Sequence, residues 1–393
     1  MSLFSFKKQP TVSFVFDIRD SSITLAAVRL EKGEKPEFIF CQNFPIQAKD
    51  IRDHKKYQDS MFATLDQAVL SVRKSLVKMG NMEKIKDHFF FIGSPWSVSE
   101  SKMIRVQKDR PYEITNAFLE KIITTKETEA EEQIGQNSDG DAWSVLEEKI
   151  LQSKLSGYVV EKIFGKKTTD FETEIFVSFI PSEIKDKLYS FADTKLGTKK
   201  IKHAGSSILP SSSFMRDAYS EKGDFIYADI GSFLTDVYVV KDNLIFAVAS
   251  FPSGEKDIVQ SAVKRTKTTE HLVSSGIAIH RDDNYDAISK KGFEDHIGSG
   301  INSWLTKLTD TLSKSCMELD VPKDFFIAPR SELSKFMAKE ISGRKENTLK
   351  VLGMEIQTQI IDEQIMNDHV LGGKAFAHEP SIKMNIAFLN KII

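Results

Sequence analysis

The chain has 393 residues, too long for one small module and suited to two domains or one two-lobed domain. With 40% hydrophobic and 28% charged residues it has the composition of an ordinary cored protein, which excludes wholesale disorder and collagen-like or mucin-like classes. Its 54 Lys+Arg against 56 Asp+Glu give a net charge of −2, without the basic excess that nucleic-acid binding uses.

Residues 1–8 (MSLFSFKK) are too short and wrongly ordered for a signal peptide. They read either as a frayed terminus or as a small amphipathic docking segment with Leu3, Phe4 and Phe6 beside two lysines. Residues 11–16 (TVSFVF) and 22–30 (SITLAAVRL) are β-branched and aromatic, and the polar break over 17–21 has hairpin length. A third strand is expected over 37–41. An amphipathic helix follows over 59–79, where Phe62, Leu65, Val69, Val72 and Leu76 recur at three- and four-residue spacing and Gly80 stands at the stop. A buried strand at 88–92 (HFFFI) completes an α/β layer.

Between 93 and 181 the texture changes to a small α+β insertion. It has a strand at 103–106, a helix over 113–124 with Thr115 near its start, and strands over 158–164 and 172–179. The acidic stretch 126–141 lacks apolar periodicity and reads as a surface loop. A helix over 182–196 then leads to a Gly/Lys/Ser-rich linker, 197–213. The pattern restarts with a strand at 224–228, a turn over 229–236, and strands over 237–240 and 244–250. Gly254 precedes helices over 257–266 and 270–279. A longer helix, 301–319, carries Ile301, Trp304, Leu305, Leu308, Leu312 and Cys316 on one stripe, and Gly298 and Gly300 read as a turn before it. A strand at 324–328 leads to a helix with Leu333, Phe336, Met337 and Ile341 inward. Residues 381–393 place Ile382, Ile386, Leu389 and Ile393 on one face of a closing helix. No run of about 18 apolar residues occurs, so no transmembrane segment is expected.

A hairpin unit opening on Asp17-Ile18 thus recurs at Asp229-Ile230, a pattern of internal duplication. An acidic residue at the end of a buried strand, followed by a tight polar turn, is a recurring phosphate and metal device. Turn N–H groups face a phosphate, and the carboxylate holds Mg²⁺ directly or through water. Alternatively, Asp17 and Asp229 are hairpin-capping carboxylates bonded to backbone amides.

At these motifs the chain resembles the actin/Hsp70/hexokinase superfamily of two-lobed ATPases, and within it the bacterial branch holding FtsA and PilM. Residues 11–30 look like the first phosphate motif and 225–246 like the second. The segment 268–280 is similar to the helix and turn after the second motif, and 325–333 stands where the adenosine motif is expected. The 93–181 insertion sits where that branch carries its 1C subdomain. The opening 2–8 segment resembles PilM more than FtsA. The fold implied is α/β, a two-lobed, duplicated ribonuclease H-like ATPase fold with an inserted 1C-type subdomain. Its domains are 1–92 (lobe I), 93–181 (insertion), 182–223 (return and linker), 224–370 (lobe II) and 371–393 (segment closing lobe I).

The resemblance implies ATP and Mg²⁺ as cofactors, with Asp17 and Asp229 as Mg²⁺ ligands facing one another across a single cleft. Candidate nucleotide-binding residues are Asp17, Arg19, Ser21, Ser22, Asp229, Gly231, Ser232, Thr235, Asp236, Gly254, Ala328, Arg330 and Ser331. Three departures stand against turnover. Arg19 occupies the position usually held by Gly, and its Cβ obstructs close approach of backbone to phosphate. It either supplies charge to a phosphate or lies on the hairpin surface. Phe233 and Leu234 fill positions usually small or hydroxylated. The sequence Ala328-Pro329-Arg330-Ser331 replaces a glycine cluster, and Pro329 removes an N–H. Glu113, Asp170 and Glu172 are carboxylates able to orient a water, and the sequence singles out none of them.

Two cysteines, Cys41 and Cys316, exclude a disulfide framework and fit a reducing compartment; eight scattered histidines offer no metal motif. The short basic patches at 199–203 and 264–267 read as solvated faces. The function implied is a cytoplasmic, at most weakly ATPase-active scaffold at the inner face of the membrane. It would dock on the cytoplasmic tail of a membrane-anchored pilus protein of PilN type, or of a divisome protein, with self-assembly open. The alternatives are an FtsA-like, polymerising Mg·ATP-binding division protein and a small-molecule kinase of the same superfamily.

Overall fold

The computed structural model describes residues 11–47, 51–81, 83–137, 141–281, 287–316, 321–343, 350–351, 354–376 and 380–393. The 1–8 segment lies outside them. Strands β1 (Thr11–Ile18), β2 (Ser22–Leu30) and β3 (Glu37–Pro45) form an antiparallel meander. Helix α1 (His54–Lys78) starts earlier than its apolar stripe, because the Asp53 carboxylate caps it by accepting from the Lys56 N–H at 3.1 Å. It returns the chain to β4 (Ile85–Ile92), parallel to β1.

The insertion comprises β5 (Val98–Glu113), α2 (Asn116–Asn137), β6 (Trp143–Leu155), β7 (Tyr158–Val159) and β8 (Lys167–Pro181). Three expectations change here. The stretch read as a loop over 126–141 continues α2 as far as Asn137. Of the strand expected over 158–164, only Tyr158–Val159 is extended, and β6 is a strand the sequence reading did not place. Thr115 does cap α2, its hydroxyl accepting from the Phe118 N–H at 3.1 Å. Beneath the sheet, Ile104, Ile114, Leu119, Ile123, Phe171, Ile175 and Phe179 form a core belonging to this subdomain alone.

Helix α3 (Ser182–Phe191) ends in a π-turn at Ala192–Leu196, closed by Gly197 at φ 72°. The expected linker 197–213 is instead β9 (His203–Ser206), parallel to β4, followed by the first residues of α4 (Ile208–Ala218). Strands β10 (Phe225–Ile230), β11 (Thr235–Lys241) and β12 (Leu244–Phe251) repeat the meander. Helices α5 (Glu255–Thr266), α6 (Glu270–Arg281) and α7 (Ala287–Ser315) follow. Gly298 and Gly300 lie inside α7 rather than in a turn before it. Gly300 is small where α7 meets α5: a Cβ there would stand 2.8 Å from the Ile258 carbonyl oxygen. Strand β13 (Asp324–Ile327), helix α8 (Glu332–Ser342), the short hairpin β14 (Lys350–Val351) and β15 (Met354–Glu355), and strand β16 (Gln357–Ile360) come next. Helices α9 (Glu363–Asp368) and α10 (Pro380–Ile392) end the chain, the latter burying Ile382, Ile386 and Leu389.

The chain divides into two compact units. One takes Met1–Ile92, Tyr189–Phe214 and Asp362–Ile393; the other takes Gly93–Leu188 and Met215–Ile361. Each holds a five-stranded sheet of the same order, β3-β2-β1-β4-β9 in the first and β12-β11-β10-β13-β16 in the second. The shared order has a common cause. A meander needs only short turns, whereas each parallel neighbour needs a longer connection, which from β4 to β9 holds the insertion and α3 and from β13 to β16 holds α8 and the β14–β15 hairpin. The central strands are buried on both faces, which is why they read as continuous apolar runs rather than alternating ones.

Candidate functional site

In the first unit, β1 pairs with β2 so that Asp17 faces Thr24 and Ile18 faces Ile23. The Arg19 N–H closes the turn on the Ser22 carbonyl at 2.9 Å. In the second unit, Asp229 faces Asp236, Ile230 faces Thr235, and the Gly231 N–H closes the turn on the Leu234 carbonyl at 2.8 Å. The two hairpins therefore share one register and one turn closure: Asp17 corresponds to Asp229, Arg19 to Gly231, Ile23 to Thr235 and Thr24 to Asp236.

Asp17 is 1% exposed. One carboxylate oxygen accepts from Arg19 Nε at 2.8 Å, and the other accepts from Ser381 Oγ, on α10, at 2.6 Å. Arg19 is itself buried at 6% exposure. It is not a surface side chain, since it folds back over two residues onto the carboxylate. The Asp20 carbonyl accepts from the Tyr57 hydroxyl, and burial raises the pKa of that phenol. The Ser21 carbonyl accepts from the Ile46 N–H at 2.8 Å, and Ser22 Oγ accepts from Asn43 at 3.1 Å, so this turn is tied down onto β3 and onto Ile46 just beyond it.

In the second hairpin Asp229 is likewise buried, and its carboxylate pairs with an arginine, Arg330 Nη1 at 3.4 Å. This arginine arrives from the β13–α8 turn, where Ala328 donates to the Ala228 carbonyl at 2.9 Å and Ser331 caps α8 in a capping box with Ser334. Ser331 Oγ also donates to the Glu255 carboxylate. Thr235 is enclosed: its hydroxyl donates to the Ser253 carbonyl at 2.6 Å and accepts from the indole N–H of the fully buried Trp304 at 2.9 Å. The Asp236 carboxylate accepts from Ser250 across the β11–β12 pair.

Gly254 heads α5 against the same turn, and a Cβ at that position would lie 2.4 Å from the Gly231 carbonyl oxygen. The closeness has a consequence at the helix end, where the first amides lack intrahelical partners and form a ready anion site. Here the Glu255 N–H donates to the Gly231 carbonyl at 2.9 Å and the Lys256 N–H to the Ser232 carbonyl at 3.0 Å. Lys256 Nζ lies 4.1 Å from the centre of the Phe233 ring, a cation–π contact at the tip of the turn.

Of the carboxylates considered for orienting a water, Asp170 and Glu172 both pair with Arg105 on the inserted sheet, at 2.7 and 3.2 Å. Hydrogen bonding from Arg105 holds the Asp170 carboxyl below its usual range. Glu113 ends β5 in the same sheet. Among the described residues no group of three or more His, Cys, Asp or Glu is arranged to hold a metal ion. No described helix is long and apolar enough to cross a membrane. Sequence reasoning missed Ser381, Trp304, Glu255 and Lys256. The first two sit in stretches that read as ordinary amphipathic helix, and no local pattern marks them as partners of Asp17 and Thr235.

No protein-family model and no curated protein matches the chain. Among solved structures, a chain of a PilM–PilN type IV pilus biogenesis complex superposes with a TM-score of 0.60 at 12% identity, over 96% of this chain and 98% of that one. The fold is actin-like. Two matches with lower scores are a Bacteroides thetaiotaomicron protein with an actin-like ATPase fold and unknown function (TM-score 0.42, 8% identity, 96% and 98% coverage) and the ethanolamine utilization protein EutJ from Carboxydothermus hydrogenoformans (TM-score 0.43, 11% identity, 96% and 91% coverage). The two matched hairpins stand one in each five-stranded sheet.

Proposed function

We propose that the chain is an actin-like scaffold without nucleotide turnover, which docks on a short cytoplasmic tail of a membrane-anchored partner of PilN type. The observation that carries this reading over an ATPase or a kinase is that the groups a Mg·nucleotide would need are engaged within the protein. Asp17 is paired with Arg19 and Ser381, Asp229 with Arg330, and Thr235 with Trp304 and Ser253. The first amides of α5 are bonded to turn carbonyls. Arginine beside a carboxylate repels a second cation, and a buried pair is separated only at high cost. The residues present therefore do not fit ATP and Mg²⁺, and no hydrolytic step runs through them.

The class of partner rests on the likeness, which covers 96% of this chain, to a chain whose solved complex contains PilN. Docking of this kind would bring the scaffold to the inner face of the membrane. The test is capture of the purified full chain on immobilised peptides carrying the cytoplasmic tail of a PilN-type protein and of a divisome protein. Saturable binding to the PilN-type tail alone is expected. Binding to neither tail would overturn the docking role, and binding to the divisome tail alone would move the chain to cell division.

A further inference from the structure

Two duplicated hairpins carry a buried carboxylate at the same position, and each is met by a guanidinium from a different part of the chain. For Asp17 the arginine lies in the turn itself, two residues on. For Asp229 the turn residue at the corresponding position is Gly231, which offers no charge, and the arginine comes from 101 residues further along, on the β13–α8 turn. One local ion pair is ordinary hairpin chemistry. The same charge delivered to the same structural position by two unrelated routes points to a requirement of the position.

The requirement has a physical basis. A buried carboxylate is held ionised only by opposite charge or by several hydrogen-bond donors. In an actin-like ATPase a divalent cation and its nucleotide are available for that role, whereas here the protein supplies the charge. We propose that Arg19 and Arg330 are internal counter-ions that take the charge role of Mg²⁺, so that each half keeps its motif carboxylate without a cation. Removal of either arginine then makes that half depend on divalent cation for stability. The inference rests on the reading of a site without nucleotide turnover.

The experiment uses the full chain as wild type, Arg19→Gln, Arg330→Gln and the paired variants Asp17→Asn/Arg19→Gln and Asp229→Asn/Arg330→Gln. Urea unfolding of each is followed in EDTA and in millimolar MgCl₂ at matched ionic strength. The wild-type midpoint is expected to be the same in both. Arg19→Gln should raise the unfolded fraction by roughly a hundredfold or more, the scale of leaving one member of a buried pair alone. Arg330→Gln should have a smaller effect, because Arg330 is the more exposed of the two arginines and its contact is longer. Both single variants should recover part of the loss in Mg²⁺, and the paired variants, lacking the carboxylate charge, should not respond to it.

A saturable Mg²⁺ shift in the wild type overturns the proposal, as do folded single variants indifferent to Mg²⁺. A single variant that stays unfolded in both buffers while its paired variant folds also overturns it, since the exposed carboxylate then gains nothing from the cation. The docking role is scored separately: a wild type that responds to Mg²⁺ yet captures the PilN-type tail sinks the counter-ions alone. A wild type indifferent to Mg²⁺ that captures neither tail sinks the docking role alone.

Discussion

His88, at the fourth position of β4, is 2% exposed and lies edge-on to Phe14 with ring centres 6.0 Å apart. Neither ring nitrogen has a hydrogen-bond partner among the described residues. Burial, with Arg73 nearby, pushes its pKa down to about 4, whereas an unfolded histidine titrates near 6.5. Between those values the unfolded chain takes up a proton that the folded chain refuses. The stability His88 allows is therefore complete above pH 6.5 and is lost as the pH falls toward 4, by on the order of 3 kcal/mol in all. His88→Phe keeps an aromatic ring against Phe14 and removes the titration. Urea midpoints measured from pH 7 to pH 4 should fall less steeply for the variant than for the wild type; parallel slopes would show that the ring does not remain neutral in the fold. The same scale shows what a sequence hides at a site. Asp17 and Asp229 were legible as matched carboxylates because each ends an apolar strand before a polar turn. Their distant partners were not legible as such, because Ser381 stands 364 residues from Asp17 and Arg330 101 residues from Asp229.

At the scale of elements, the meanders, the stripe of α7 and the closing helix α10 were legible because burial imposes period on them. Elements held by other means were not. The second half of α2 (TKETEAEEQIGQN) is built from good helix formers but touches the subdomain core chiefly through Ala130 and Ile134, so propensity without a stripe reads as loop. Strand β9 and the start of α4 bury Ser206, Ser207, Ser211 and Ser212, small polar side chains that look like linker. The glycines of α7 make a sharper test of element packing. Both are helical, so alanine at either gains about 1 kcal/mol of intrinsic propensity. At Gly298 a Cβ meets nothing within 4 Å, and Gly298→Ala should stabilise by about 0.5–1 kcal/mol. At Gly300 it would lie 2.8 Å and 2.9 Å from backbone atoms of Ile258, where overpacking costs about 1–3 kcal/mol. Gly300→Ala should therefore be destabilising on balance. Opposite shifts of the urea midpoint in the two variants are the expected result, and equal shifts would mean that α5 and α7 do not approach this closely.

For the whole molecule, the duplication was visible in the sequence as one recurring Asp-Ile hairpin, and its depth became visible only in the two sheets of identical strand order. In a duplicated ATPase the nucleotide acts as a ligand that favours one state of the protein over another. A ligand moves such an equilibrium only by the difference between its affinities for the two states. On the proposed reading, the internal partners of each hairpin carboxylate and the turn carbonyls bonded to the first amides of α5 would leave Mg·ATP no differential contact through which to act. Docking of a PilN-type tail should therefore be independent of nucleotide. The dissociation constant of a labelled tail peptide, measured by fluorescence anisotropy on the full chain, is expected to agree within about twofold with and without saturating Mg·ATP, well below the roughly 1.4 kcal/mol that a tenfold change represents. Phosphate release under the same conditions should not exceed that of buffer. A tail affinity that changes tenfold or more with Mg·ATP would place the chain among nucleotide-driven switches, and the arginine pairs would then have to open for the nucleotide to enter.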